Sequence, residues 1–223
     1  SFSYPGFADS AARAKNFATL FGYAMEPLNV TISAEPQRAL GMVVSGNYFD
    51  ALQVKAWRGR LLNAGDDVAG AAPVVVMTYA AWRKYFDGDE SKIGKQVSIN
   101  SQAFTLIGVA APEFHGTIAA LPPAFYLPLH QLALLKPGAA RLLDSRKSSW
   151  LSAGARIART TTAALAQSQL SAIGAQLAKA YPQPGDDGRF SVVPLRGMPQ
   201  EFRGGLIAFS SLLFALISLV LLV

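Results

Sequence analysis

The sequence predicts an α+β domain followed by an apolar helix of membrane-spanning length. Three observations carry that prediction. Short strand-like runs alternate with a few amphipathic helical stretches from residue 4 to residue 195. The segment 150–195 reads strand–helix–strand, half of a small split βαβ unit. Residues 204–223, GGLIAFSSLLFALISLVLLV, carry no charge, no proline and no amide side chain. As a helix rising 1.5 Å per residue, such a stretch extends roughly 30 Å, the hydrocarbon thickness of a bilayer. A soluble core helix of that length would show a polar stripe, whereas only Ser210, Ser211 and Ser218 interrupt this one.

The elements follow in order. Pro5 suits a first helical turn, and Phe7, Ala11, Ala14, Phe17, Ala18 and Phe21 recur at helical spacing, so residues 4–21 read as a helix. Short strands are expected at 21–25, 28–32 and 39–44. Ser45 is placed to cap a short helix that turns Phe49 and Leu52 inward. A loop with paired acids, Asp66 and Asp67, spans 59–70 and precedes an apolar strand at 73–77. Thr78 caps a helix over 79–86, which Gly88 closes. Strands at 97–99 and 104–109 flank Asn100-Ser101-Gln102, a hairpin signal. A strand at 125–129, an apolar helical turn at 132–135 and a polar hinge at 136–149 follow. Beyond it come an alternating strand at 150–157, an amphipathic helix over 161–181 with Leu170, Ile173, Leu177 and Tyr181 in line, and a strand at 190–195. There is no internal repeat.

Composition narrows the chemistry. The chain has 223 residues, 51% of them apolar, enough for one large domain or two small ones with a real core. It has no cysteine, which excludes a disulfide framework, a thiol nucleophile and a cysteine-ligated metal. The net charge of +6 comes from scattered Lys and Arg that are not interleaved with aromatics, so no nucleic-acid partner is expected. The first residue is not Met and the apolar segment stops without a polar flank, so the sequence reads as part of a longer membrane protein.

Catalytic and cofactor motifs are missing. His115 and His130 have neither metal-ligand spacing nor a carboxylate cluster, and His130 reads as structural. The stretch Gly88–Lys95 mimics a phosphate loop, but its glycines are six apart, Gln96 stands where Ser or Thr would bind magnesium, and it follows a helix. Asp66-Asp67 and Asp186-Asp187 sit among glycines and are expected to stay solvated, with no split in their pKa values. No catalytic, cofactor-binding or metal residue is therefore expected.

Several segments nevertheless form an ordered set. Ser45-Gly-Asn-Tyr-Phe-Asp-Ala-Leu52 is followed by Arg58-Gly-Arg60, Asp66-Asp67, Pro73-Val-Val-Val-Met-Thr-Tyr-Ala-Ala-Trp82, Ile93-Gly-Lys95 and Phe104-Thr-Leu-Ile-Gly-Val-Ala110. This order and spacing resembles the periplasmic core domain of MacB-like, FtsX-like ABC-transporter permeases. The opening Tyr4-Pro-Gly-Phe7 is similar to the large duplicated orphan permeases within that group.

The resemblance implies a porter-like α+β subdomain, residues 1–51 and 148–200, split by an inserted β-rich, sabre-like subdomain at 52–147. It implies that 204–223 begins a transmembrane helix of the bacterial cytoplasmic membrane, with residues 1–203 on the periplasmic side. It implies no enzymatic activity here, ATP bound by a separate ABC ATPase subunit, and a dimer or pseudo-dimer coupling hydrolysis to an exported substrate or a periplasmic partner protein. Tyr48, Trp57 and Phe114 are the candidate partner contacts. Two other functions remain: a membrane-tethered lipid- or cell-wall-binding module using Arg141, Arg146 and Lys147, or a membrane-anchored hydrolase.

Overall fold

The computed structural model describes residues 1–32, 35–118, 121–182, 188 and 190–193. Its longest strand, β1 (Ala18–Ile32), serves two neighbourhoods. Residues 18–23 pair antiparallel with β8 (Ser152–Ile157), and residues 23–32 pair antiparallel with β2 (Glu35–Val44). Val30 and Thr31 also pair with β5 (Gln96–Ile99), on the far edge from β2.

Further pairings close a ring. β2 runs parallel to β7 (Phe125–Pro128), β7 antiparallel to β4 (Val74–Met77), β4 parallel to β6 (Gln102–Ala110), and β6 antiparallel to β5, which returns to β1. Six strands thus form a small barrel, with β3 (Ala56–Gly59) appended to β6 and β8 to β1. Closure removes most of the exposed strand edge that an open sheet would leave.

The register shows which face is inside. Val30 stands opposite Ile99, Val97 opposite Phe104, Leu106 opposite Val75, Met77 opposite Phe125, and Leu127 opposite Val43. All of these are buried in one continuous core, whereas Pro27, Asn29, Thr31, Pro36 and Arg38, on the other face, are exposed. The period-two alternation of β1 and β2 is therefore the barrel wall read along the chain.

The helices cover the lower part of β1. α1 (Tyr4–Ala14) begins at Ser3, whose Oγ accepts from Gly6 N–H, and turns Phe7, Ser10 and Ala14 inward. α6 (Ala163–Ala180) begins at Thr162, whose side chain accepts from Leu165 N–H, and buries Ala166, Leu170, Ile173 and Leu177. Arg13 of α1 donates to Gln176 of α6 at 3.1 Å. The smaller helices are α2 (Tyr48–Leu52), α3 (Tyr79–Phe86), α4 (Leu132–Leu135) and α5 (Ala140–Asp144).

Several expectations hold. Thr78 caps α3 through Ala81 N–H, and β5 and β6 form a hairpin whose turn residues, Asn100 and Ser101, both take positive φ. Other boundaries move. The first helix ends at Ala14 because Ala18 is already paired with Ile157 of β8. The two strands expected around Pro27 are one. Pro27 is tolerated there because β1's second edge is unpaired between Tyr23, the last partner of β8, and Val30, the first partner of β5. The hinge at 136–149 contains α5, and β3 has no counterpart in the sequence reading.

Residues 190–193 are irregular, so among the described residues α6 is not followed by the expected strand; residues 194 and 195 lie outside them. The apolar segment 204–223 is also outside them, and among the described residues no helix is long and apolar enough to cross a membrane. Residues Ser1–Phe114 with Pro123–Val192 form one compact unit, to which every element above belongs. The second unit comprises His115–Pro122 and Val193–Val223, and within it Leu121 N–H donates to Ile118 O at 3.1 Å.

Leu106 is fully buried inside the ring, opposite Val75. Leu106→Ala is expected to cost about 2–5 kcal/mol of unfolding free energy, read from urea denaturation, because a closed wall cannot collapse onto the lost volume. Loss below about 1 kcal/mol would show that the ring interior is not close-packed.

Candidate functional site

The Ser45–Leu52 motif forms a corner at the end of β2. Ser45 does not cap α2 as expected. Its Oγ accepts from Gly22 N–H of β1 at 2.9 Å and donates to Asn47 Oδ1 at 2.7 Å, while Asn47 Nδ2 donates to Leu20 O. The cap position falls to Asn47, which makes no side-chain cap bond. The serine is thus used to fasten the corner to β1. Gly46 is required by close approach, since a Cβ there would strike the backbone of Asn63 and Ala64.

The paired acids are drawn into this corner, contrary to the expectation that they stay solvated. Asp66 takes both terminal nitrogens of Arg60, at 2.6 and 2.8 Å, and accepts from Asn63 N–H, capping the short 3₁₀ turn at 64–66. Burial pulls its carboxyl upward, but the hydrogen bonds from Arg60 and Asn63 and the Arg60 charge outweigh that and hold it below the usual carboxylate range.

Asp67 is buried more deeply, its side chain 9% exposed. It accepts from Gly46 N–H (3.0 Å), His130 N–H (2.9 Å) and His130 Nδ1 (3.0 Å). Burial nevertheless dominates these bonds and raises its pKa. The neighbouring carboxyls are therefore pushed in opposite directions, one by ion pairing and one by desolvation.

A chain of contacts continues from Asp67. With Nδ1–H directed at the carboxylate, His130 Nε2 is the acceptor for the Tyr4 hydroxyl at 3.3 Å, and the two rings meet edge to face. Tyr4 is the first residue of α1. Burial, then the Asp67 charge, raises the Tyr4 pKa, so the phenol keeps its proton and acts as a tie. Tyr4, Gly46, Asp67 and His130 thus pin the start of α1, the β2–α2 corner, the 60–67 loop and the 3₁₀ turn after β7 to one point.

The three candidate contact residues occupy different environments. Tyr48 is 0% exposed and packs within an aromatic cluster, so in this structure it is a core residue with no surface for a partner. Phe114 is half-buried against the same cluster. Trp57 is 41% exposed. It is the extra residue of a β-bulge, because Ala56 pairs with Ala110 and Arg58 with Val109, and the bulge re-aims its ring outward beside Tyr79.

The basic group at 141–147 is partly spoken for: Arg146 pairs with Asp9 at 2.8 Å and lies over the Tyr181 ring. His115 is exposed. Among the described residues no three His, Asp or Glu side chains are grouped to hold a metal ion.

The acids give a test with two signs. Asp67→Asn sets an amide with one acceptor oxygen against three buried N–H donors and is expected to cost about 1–3 kcal/mol at neutral pH. Asp67 binds its proton more readily folded than unfolded. Its contribution is full below the unfolded carboxylate range and is lost as pH rises through its raised value. For Asp66 the sign reverses: its contribution is present above that range and lost as pH falls through its lowered value. Urea titrations between about pH 3 and 7 should therefore show the native chain gaining on Asp67→Asn with acidification and losing ground against Asp66→Asn below about pH 4. Trends of the same sign would overturn the assignment.

Known proteins share this architecture. Residues 3–179 match the family model described as MacB-like periplasmic core domain. The chain is 33% identical over 102 residues to the macrolide export ATP-binding/permease protein MacB of Campylobacter jejuni, a stretch that is 45% of this chain and 15% of that protein. It is thus similar to a small part of a much longer relative.

The fold resembles the extracellular domain of YknZ, a noncanonic ABC-type transporter from Gram-positive bacteria (TM-score 0.62, 15% identity, 87% of this chain and 90% of that one). It also resembles the periplasmic region of MacB from Actinobacillus actinomycetemcomitans (TM-score 0.55, 19% identity, 78% and 72%). With the Ser45–Leu52 corner in place and the family match running through nearly all the described elements, the chain belongs to the MacB-like periplasmic core domain family.

Proposed function

We propose that this domain is the extracytoplasmic part of an ABC-transporter permease and relays motion between membrane-spanning helices and the molecule handled outside the membrane. The observation that carries the proposal is the joining of the first and last described segments of the core. Phe2 packs on Phe190 with ring centroids 4.8 Å apart, and Phe2 exchanges backbone bonds with Trp150 and Leu151. Gln167 of α6 holds the returning segment on both sides, donating to Phe190 O and accepting from Val192 N–H. Gly174 lets that segment approach, since a Cβ there would strike Gly188 O. A displacement delivered at either segment therefore reaches α1 and α6 together.

In this reading, residues 204–223 form the membrane helix that follows the core. The polar corner then transmits what α1 receives, because Tyr4 is tied through His130 and Asp67 to Gly46. ATP is hydrolysed on a separate ABC ATPase subunit, two permease halves work as a dimer or pseudo-dimer, and the domain lies on the periplasmic face of the cytoplasmic membrane. Residues 1–51 and 148–200 act as the porter-like part and 52–147 as the inserted part, with β1 of the first pairing both with β8 of its own part and with β5 of the inserted one.

Hydrogen–deuterium exchange on the whole permease with its ATPase tests this. Amides of α1, residues 45–47, residues 63–67 and the segment 190–192 should change protection between nucleotide-free and ATP-bound states, and an ATPase variant unable to bind ATP should abolish the change. Identical exchange across this domain in every nucleotide state would overturn the proposal.

A further inference from the structure

The barrel has a second apolar cluster on its outer face, made of rings. Tyr48, Phe49 and Tyr126 surround one another with centroids 5.3, 5.8 and 5.1 Å apart, and all three are fully buried. Phe21 meets Tyr48 edge-on at 5.4 Å, and the Tyr48 hydroxyl donates to Met42 Sδ at 3.6 Å. Phe114 closes the cluster, 6.3 Å from Tyr48 and 5.9 Å from both Phe49 and Tyr126.

Two features set this cluster apart from ordinary core. The first is the Tyr126 hydroxyl, which is buried with no hydrogen-bond partner. An unpaired buried hydroxyl is destabilising, and phenylalanine would fill the same space without that cost. Burial and the adjacent Tyr48 keep it protonated, so it is a donor without an acceptor. The second is Phe114. It is half-buried where its neighbours are fully buried, and it comes from the connection between β6 and β7, where its own N–H is tied to Ala111 O. It is also the last residue of its compact unit before the chain leaves for residues 115–122.

From these we infer that Phe114 is a removable plug in an aromatic-walled binding site, whose ligand is a planar apolar group carrying a hydrogen-bond acceptor for Tyr126. Withdrawing one phenyl ring leaves a slot of that size lined by Tyr48, Phe49 and Tyr126. The ligand's acceptor takes the unpaired hydroxyl proton, while the Tyr48 hydroxyl stays turned to Met42. The walls carry no charged group, so the ligand is neutral where it enters. The inference rests on this cluster alone, and it can fail or stand independently of the permease reading.

The test uses acetophenone, a phenyl ring with a carbonyl acceptor, and ethylbenzene, the same ring without one. The Met42 methyl reports on the cluster, while Met77, which belongs to the core inside the ring, serves as the control. In carbon-13 methyl spectra, acetophenone should shift Met42 saturably in the native chain, and Phe114→Ala should tighten binding about tenfold. The ketone should bind about three- to tenfold better than ethylbenzene, and Tyr126→Phe should erase that preference while raising the melting temperature.

A shift in Phe114→Ala with none in the native chain would mean an engineered cavity only and would overturn the inference. So would a ketone preference that survives Tyr126→Phe. If Phe114→Ala does not fold, Phe114→Leu and the native chain carry the same comparison, and absence of saturable binding in both refutes it.

Discussion

The structure depends on one strand having two sets of partners. β1 is long enough that its first six residues pair with β8 while residues 23–32 form the barrel wall with β2 and β5. If it ended near Pro27, the helical base and the ring would be separate objects joined by a loop. As one continuous strand it is a stiff member common to both, and main-chain hydrogen bonds anchor it along its length. The apolar face of the upper half fills the ring with Leu28, Val30 and Ile32, while Gly22 below lies close under Phe7 of α1. Burial of one face of every barrel strand then supplies the driving force, at roughly 25 cal/mol for each Å² removed from water.

The polar corner adds specificity to that apolar frame. Ser45, Gly46 and Asn47 spend their hydrogen-bonding groups on Gly22, Asp67 and Leu20, joining segments distant in sequence. Buried polar groups of this kind are tolerated when their partners are in place and are costly when one is missing. That is why the 45–52 motif has small, hydrogen-bonding residues first and large aromatic ones next. The former fasten the corner, and Tyr48 and Phe49 cover the outside of the barrel beside it.

Much of the local structure was legible in the sequence. The α3 limits and cap, the β5–β6 hairpin and most of α6 follow from residues within a few positions of one another. The ring was not legible, because its closure depends on parallel pairings between β2 and β7 and between β4 and β6 that leave no mark on any single strand. The corner was hidden for the same reason: Asp67 and His130 are 63 residues apart, and Tyr4 and His130 are 126 apart. Two adjacent aspartates among glycines look solvated until a remote histidine and a backbone N–H close over them. The burial of Tyr48 is hidden from the sequence in a related way. An aromatic at the start of a short helix gives no hint of whether it faces outward, and only the strands beneath it decide.

The divided pairing of β1 also fixes an order of events during synthesis. Its upper half meets β2 across a connection of two residues, so both partners of that hairpin are available once residue 44 has been made. Its lower half has to wait for residues 152–157, more than a hundred positions later. Non-local pairings of this span are slow to find, because a long loop has to be closed before the contact contributes. The barrel is complete in sequence by Pro128, so it can close while the helical base still lacks β8 and α6. Until then the first six residues of β1 present an unsatisfied edge, and a newly made chain is at most risk of mispairing there.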